Sequence, residues 1–345
     1  MNTMNRAIFV GVIALYACVS SAFSQHETKQ PLRLVQTITV PNVKGRLDHI
    51  AIDVEGKRLF LAGLEQGTFE VIDLTVGKWQ RSIPGFNKPQ GAVYVPTLNK
   101  LFLASGDDAT IRVFRGDSLS ILASIGLAPG PNRTVYEPHT KTVYVGYGGA
   151  DAGKNYGEVG IIDAVNDKHI GDIKVPAHPS ELILNKAGQK MFVFTSIANQ
   201  LQVVDLTRRQ IVATWPVSGK RPGDAALDES TSRLFIGTRM PPELIVMDSE
   251  SGRELVHLPT AENMDGVYYD ARRKRIYVSG GRELADGLIY AYQQKSADQY
   301  EVIGKIPTRG GAGTSFYSPE LDRYYVAAPA NAKEDAAILV FEPQD

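Results

Sequence analysis

Residues 190–219, KMFVFTSIANQLQVVDLTRRQIVATWPVSG, contain three predicted β-strands, at 191–195, 201–206 and 211–217. A fourth predicted strand, 181–184, precedes them. Each strand is rich in Val, Ile, Phe or Thr and is bounded by polar residues or glycine, a composition typical of a pleated, half-buried surface. This stretch therefore predicts a unit of four short antiparallel strands.

The same unit recurs along the chain at nearly constant spacing. The predicted first strands end 43, 42, 47, 43, 42 and 49 residues apart, at Asp53, Pro96, Pro138, Asn185, Asp228, Asp270 and Pro319. Nearly all of the predicted second strands begin with Lys or Arg and then place an aromatic residue between aliphatic ones. Seven such WD40-like repeats predict an all-β fold, a seven-bladed β-propeller of four-stranded antiparallel blades.

The seventh repeat lacks a fourth strand, because the sequence ends at Asp345 after its third. Residues 34–40, LVQTITV, have the fourth-strand pattern and no first three strands of their own. We expect this N-terminal strand to complete the last blade and to remove the exposed sheet edges. The expected single domain spans 25–345, with blades at about 46–85, 87–130, 131–176, 177–219, 220–263, 264–310 and 311–345 plus 32–40.

The N-terminus has the pattern of a secretory signal peptide. Arg6 precedes the apolar stretch 7–19, and Ala22-Phe23-Ser24 forms a small-x-small cleavage site. The apolar stretch is shorter than the roughly 18 residues that a membrane span needs. We expect cleavage near Ser24 and a periplasmic or secreted mature protein without a transmembrane segment. A lipoprotein attached through Cys18, the only cysteine, is the alternative.

Composition and motifs narrow the range of functions. The net charge of -1 and the pI near 6.6 give no basic field to hold nucleic acid, so we expect no nucleic-acid partner. The sequence contains no G-x-S-x-G elbow, H-E-x-x-H helix, P-loop or C-x-x-C-H haem motif. No catalytic motif is recognised, and a monomer is the expected state.

The repeat resembles a known family. Strands of the VYV or LFL type, followed by V-x-V-I-D and a T-x-x-V strand, are similar to the YVTN repeat of YncE-like seven-bladed β-propellers. The nearest copy comprises 192–195, 203–205 and 213–217, followed by Arg221-Pro222. The resemblance implies the ring fold. It leaves function open, since related rings include binding scaffolds, redox-cofactor domains and hydrolytic or lyase enzymes.

The polar residues that precede each first strand form the candidate site. In a propeller these leading segments converge at the mouth of the central channel, and they bring together Arg46, Asp48, His49, Gln90, Arg133, His178, Glu181, Arg221, Asp224, Asp265 and Thr314. The arginines suit a carboxylate or phosphate, and the balanced charges suit a zwitterion. Alternatively, these side chains pair with each other and join neighbouring blades.

His49, Glu181 and Asp224 occupy equivalent places in their repeats and suit a divalent metal. The expected function is a binding or scaffold protein for a small polar ligand, a metal or another exported protein. A metal-assisted lactonase or lyase is the enzyme alternative, with Arg46 or Arg133 as oxyanion stabiliser, and a domain holding a non-covalent redox cofactor is the third. The basic run 272–275 is expected to be a solvent-exposed turn.

Overall fold

The computed structural model describes residues 30–195, 197–281 and 286–345, which form seven four-stranded antiparallel sheets. The sheets form a ring, so the predicted all-β, seven-bladed propeller is confirmed. The expected signal peptide and Cys18 lie outside the described residues. In the part of the chain that is described, no helix has the length and hydropathy to cross a membrane.

The strands are numbered along the chain, and β1 (Leu32–Val40) belongs to blade 7. Blades 1 to 3 comprise β2 (Leu47–Asp53), β3 (Arg58–Gly63), β4 (Thr68–Asp73), β5 (Lys78–Pro84); β6 (Pro89–Val95), β7 (Lys100–Ser105), β8 (Thr110–Arg115), β9 (Ile121–Gly126); and β10 (Thr134–Glu137), β11 (Thr142–Gly148), β12 (Gly157–Asp163), β13 (Lys168–Val175). Single 3₁₀ turns occur at Pro96–Leu98 and Gly149–Ala152.

Blades 4 and 5 comprise β14 (Pro179–Leu184), β15 (Lys190–Thr195), β16 (Gln200–Asp205), β17 (Gln210–Pro216); and β18 (Ala225–Asp228), β19 (Arg233–Arg239), β20 (Pro242–Asp248), β21 (Glu254–Pro259). Blades 6 and 7 comprise β22 (Gly266–Asp270), β23 (Arg275–Gly280), β24 (Leu288–Ser296), β25 (Gln299–Pro307); and β26 (Ser315–Ser318), β27 (Arg323–Ala328), β28 (Ala336–Pro343), with β1 outermost.

A side chain at the end of the first strand fixes the following turn in most blades. Asp53 accepts a hydrogen bond from the Gly56 N–H at 2.9 Å, and Asp270 accepts from the N–H groups of Arg272 and Arg273. The residue that closes each of these turns has a positive φ, at Lys57, Asn99, Lys141, Gly188, Ser232, Lys274 and Asp322. The repeat in the sequence is therefore a repeat of turn chemistry as well as of strands.

The apolar core is divided into seven clusters, one between each pair of neighbouring blades. Between blades 4 and 5, for example, Phe192 and Leu201 pack with Leu234 and Ile245, and all four are at least 99% buried. Each sheet buries its two faces against different neighbours. Stability is therefore the sum of seven similar interfaces, and each blade depends on the next.

Strand β1 closes the ring. It pairs antiparallel with β28, from Leu32 opposite Pro343 to Val40 opposite Ala336. A bulge between Leu34 and Gln36 shifts the register, so that the two ends of β1 contact different neighbours. Leu32 packs between blades 6 and 7, whereas Ile38 and Val40 pack between blades 7 and 1. The predicted closure by the N-terminal strand is confirmed.

The basic run 272–275 differs from its expectation. The Arg273 side chain is only 7% exposed, whereas that of Arg272 is 64% exposed. Arg273 donates hydrogen bonds to Asp270 at 3.0 Å, to Asp322 at 2.7 Å and to Asp345 at 2.9 Å. The prediction of a solvent-exposed turn was wrong for Arg273, because carboxylates of blades 6 and 7 and of the C-terminal residue surround it.

Closure by β1 predicts a large difference between two identical substitutions in the same strand. Leu32 is 2% exposed and Leu34 is 51% exposed. Leu32→Ala should lower the free energy of unfolding by about 2–5 kcal/mol, because it leaves a cavity between blades 6 and 7. Leu34→Ala should change it by less than about 0.5 kcal/mol. Urea denaturation followed by circular dichroism measures both, and equal losses would contradict the closure.

Candidate functional site

The leading segments of the blades meet at one end of the central channel, as expected. Nine of the eleven predicted residues belong to what we call the mouth cluster, together with two residues that the sequence reasoning did not select, Asn132 and Arg239. Its members are Arg46, Asp48, His49, Gln90, Asn132, Arg133, Glu181, Asp224, Arg239, Asp265 and Thr314.

Arg133 lies at the centre of the mouth cluster. Its Nη2 donates to Asp224 Oδ1 at 2.5 Å and also to Glu181, and its Nη1 donates to His49 Nδ1 at 3.2 Å. A guanidinium has no acceptor, so His49 must accept at Nδ1 and carry its proton on Nε2. That Nε2–H donates to Asn132 Oδ1 at 2.9 Å. Arg133 thus connects His49 of blade 1 with Glu181 of blade 4 and Asp224 of blade 5.

The charged form of Asp48 is stabilised by its neighbours. It is 2% exposed and accepts from Arg46 Nη2 at 3.1 Å and from the Gln90 amide at 3.5 Å. Burial raises the pKa of Asp48, but the His49 ring, the Arg46 guanidinium and the Gln90 amide more than offset it, and the pKa falls below the ordinary 3.8. Asp48 is therefore ionised at neutral pH.

The pKa of Asp265 is shifted in the opposite direction. It accepts from Arg239 Nη2 at 2.6 Å and from the Thr314 hydroxyl at 3.3 Å. Burial raises the pKa of Asp265, Arg239 opposes this, and the charges of Asp48 and Asp224 raise it further, so the pKa lies above the ordinary 3.8. The carboxylates of the cluster thus repel one another although each has a cationic partner.

Two predicted residues lie outside the mouth cluster. His178 donates from Nδ1 to the Gly148 carbonyl at 2.9 Å, between blades 3 and 4. Arg221 is exposed and has a φ of 54°. Its backbone N–H donates to Asn199 Oδ1 at 3.0 Å. Arg239 was missed because it ends a second strand, where the other blades have a small residue or Thr.

A guanidinium of the chain itself competes with the predicted metal for His49, Glu181 and Asp224. The Arg133 guanidinium contacts all three of these side chains. Among the described residues, no group of three or more His, Cys, Asp or Glu is arranged to hold a metal ion. As arranged, these three residues hold the Arg133 guanidinium. A metal ion could bind between them only if Arg133 moved away.

The central channel extends beneath the mouth cluster. It has a volume of about 470 Å³ and is lined by the first strands of all seven blades. His49, Arg133, Glu181 and Asp224 face its upper end. Val135, Ile183, Leu227, Tyr268 and Phe316 are among its lining residues, and its exposed walls are almost as polar as they are apolar. The arrangement is a channel of mixed polarity with the charged groups of the mouth cluster at one end.

The two pKa shifts predict opposite pH dependences for two equivalent substitutions. The stability from Asp48 is present above pH 3.8 and is lost as the pH falls through its lowered pKa. The stability from protonated Asp265 is present below pH 3.8 and is lost as the pH rises through its raised pKa. Asp48→Asn should therefore lower the free energy of unfolding more at neutral than at acidic pH. Asp265→Asn should lower it less at neutral than at acidic pH.

Urea midpoints of the wild type and both variants, measured at about pH 8 and about pH 3, test these signs. Asp205→Asn is the matched control, since Asp205 ends β16 and pairs with Arg208 outside the channel. Losses of stability that change with pH in the same direction for Asp48→Asn and Asp265→Asn would refute the opposite pKa shifts of the two carboxyl groups.

No protein-family model matches the chain, and no curated protein sequence matches it. The chain is similar in structure to a chain of hydrazine synthase from Kuenenia stuttgartiensis, with a TM-score of 0.72 and 14% identity, over 83% of this chain and 94% of that one. It is also similar to a chain of a mitotic checkpoint complex, with a TM-score of 0.74 and 12% identity over 100% of both. Likeness at these identities demonstrates the seven-bladed β-propeller fold alone.

Proposed function

We propose that this chain is an exported YncE-like binding protein that holds a small ligand in its central channel. The observation that carries the proposal is the channel itself, with a volume of about 470 Å³ and walls from all seven blades. Ligand sites in proteins are typically concave, mostly apolar and about 300–1,000 Å³ in volume, with a few polar groups that orient the ligand. This channel has that size, apolar side chains in its walls and polar groups at one end.

The mouth cluster supports a ligand beneath it more than a ligand upon it. Arg46, Arg133 and Arg239 each already contact a carboxylate of the chain. An external carboxylate or phosphate that displaced one of these partners would leave a buried charge uncompensated, which costs about 3–5 kcal/mol. A ligand in the channel contacts the lower side of the cluster without breaking it.

A partner protein at the outer face of the mouth is a second candidate. Beside the mouth, the segments 42–45 and 330–335 form a polar cleft of about 560 Å³, with Lys44, Lys333, Glu334 and Asp335 in its lining. Loops on a rigid frame are frequent binding sites. Such a partner would bind independently of the channel.

Filling the channel tests the proposal. Ile183 is half-buried and lines the channel, whereas Val212, on β17 of the same blade, is 55% exposed. We expect the wild type and Val212→Trp to retain a small molecule from a periplasmic extract, and Ile183→Trp to lose it, because the larger ring occupies the cavity. Native mass spectrometry measures the retained mass, and thermal melting verifies that each variant is folded.

The result separates the candidates. A small adduct retained equally by folded Ile183→Trp would contradict channel binding, as would its absence from the wild type. A co-purifying protein retained by all three forms would favour the partner at the outer face.

Metal removal tests the alternative of a metal-assisted lactonase or lyase. Dialysis against a chelator should leave the melting temperature unchanged, because the Arg133 guanidinium already contacts both Glu181 and Asp224. Elemental analysis before and after dialysis is the accompanying measurement. A fall in melting temperature that one divalent metal restores would support the metal alternative. A visible absorption spectrum of the protein from its native host tests the redox-cofactor hypothesis in the same sample.

A further inference from the structure

The mouth cluster crosses the upper end of the channel. Arg133 belongs to blade 3, yet it donates to His49 Nδ1 of blade 1 at 3.2 Å and to Asp224 Oδ1 of blade 5 at 2.5 Å. Asn132, also of blade 3, contacts His49 Nε2 at 2.9 Å. Blade 3 is not adjacent to blade 1 or blade 5, so these contacts pass across the opening. The side chains of Arg133 and His49 are only 15% and 18% exposed.

Further contacts join the remaining blades at the same level. Thr314 of blade 7 donates to the Leu47 carbonyl of blade 1 at 3.2 Å and to Asp265 of blade 6 at 3.3 Å. Gln90 of blade 2 donates to Asp48 of blade 1 at 3.5 Å. Together with the contacts across the opening, this network includes a residue from every blade. The upper end of the channel is therefore closed by side chains that hold one another.

The opposite end of the channel is built differently. The last residue but one of five first strands lines the channel there, and each of these side chains is half-buried. They form what we call the lower rim: Ile52, Tyr94, Tyr136, Leu227 and Tyr269. None of them is charged, and no hydrogen bond or ring contact between described residues joins two of them. The lower rim thus lacks the cross-links that close the upper end.

The tyrosines of the lower rim already have partners for their hydroxyl groups. Tyr94 donates to Asn99 Oδ1 at 3.0 Å, and Tyr269 donates to Gln294 Oε1 at 2.6 Å. The Tyr136 hydroxyl lies 3.3 Å from a threonine hydroxyl of the neighbouring blade 2. The lower rim therefore offers an entering molecule mainly the apolar parts of its side chains.

We propose that the ligand enters the channel through the lower rim and that Arg133 keeps the upper end closed, an inference that rests on the proposed function. Entry from above would break the contacts of Arg133 with Glu181 and Asp224 and leave buried charges without compensation. Entry from below breaks no described ion pair. The lower rim then determines specificity, because it admits a narrow apolar body, whereas a charged group would lose its water there.

A single cysteine inside the channel reports the route. Cys18, the only cysteine of the chain, belongs to the predicted signal peptide, so Ile183→Cys gives the mature protein one thiol in the channel wall. Mass spectrometry follows its reaction with N-ethylmaleimide, a small neutral reagent, at neutral pH. We expect Ile52→Trp together with Leu227→Trp to slow this reaction at least about tenfold, because the reagent must wait for the narrowed rim to open. Val212→Trp, on the exposed side of β17, is the control and should leave the rate unchanged.

Opening the upper end should then restore the reaction. In the chain that carries both rim tryptophans, Arg133→Ala should raise the rate about tenfold, because it removes the contacts across the opening. Arg133→Lys, which keeps the charge without the planar fork that reaches three blades, should act in the same direction. Thermal melting verifies that each variant is folded.

The two parts of the inference fail separately. An unchanged rate with both rim tryptophans would overturn entry through the lower rim, as would a folded Ile183→Cys that does not react. A rate that stays low in both Arg133 variants would overturn closure by Arg133. The proposed function survives these results as long as the wild type retains a small molecule and Ile183→Trp does not. Absence of that retention would remove the proposed function, whichever route the reagent takes.

Discussion

The whole structure depends on the fact that a single four-stranded blade cannot bury both of its own faces. Each sheet must pack on two neighbours, and the seven apolar clusters between blades are the result. In an open row of blades the two end faces would remain exposed to water. The pairing of β1 with β28 prevents this, because it makes blade 7 a complete sheet with a neighbour on either side.

The same ring geometry creates the charged cap. His49, Arg133, Glu181 and Asp224 come from blades 1, 3, 4 and 5, and they meet only because their strands surround one axis. Bringing such charges out of water is costly, and their mutual contacts offset this cost only while the geometry holds. These four residues therefore both connect non-adjacent blades and form the charged end of the channel.

The fold was predictable from the sequence because its determinants repeat. A carboxylate that ends a first strand, such as Asp53 or Asp270, fixes the turn that follows, and this chemistry recurs with the strand pattern. The site was predictable only in part. Ring symmetry placed most of the polar residues at the mouth, but Arg239 comes from a second strand, and Arg221 has a left-handed backbone at an exposed turn. Which guanidinium contacts which carboxylate depends on distances across the ring, which the repeat pattern does not contain.

Ring closure by the first and last strands also has a consequence for biosynthesis. Arg33 and Glu342, which form an ion pair across the β1–β28 junction, are 309 positions apart. A ribosome must therefore synthesise nearly all of the polypeptide before β1 can find its partner, and contacts of such long range slow folding. Until translation is complete, β1 has no partner strand. Its apolar residues Leu32, Ile38 and Val40, which are buried in the folded ring, are then accessible to a chaperone.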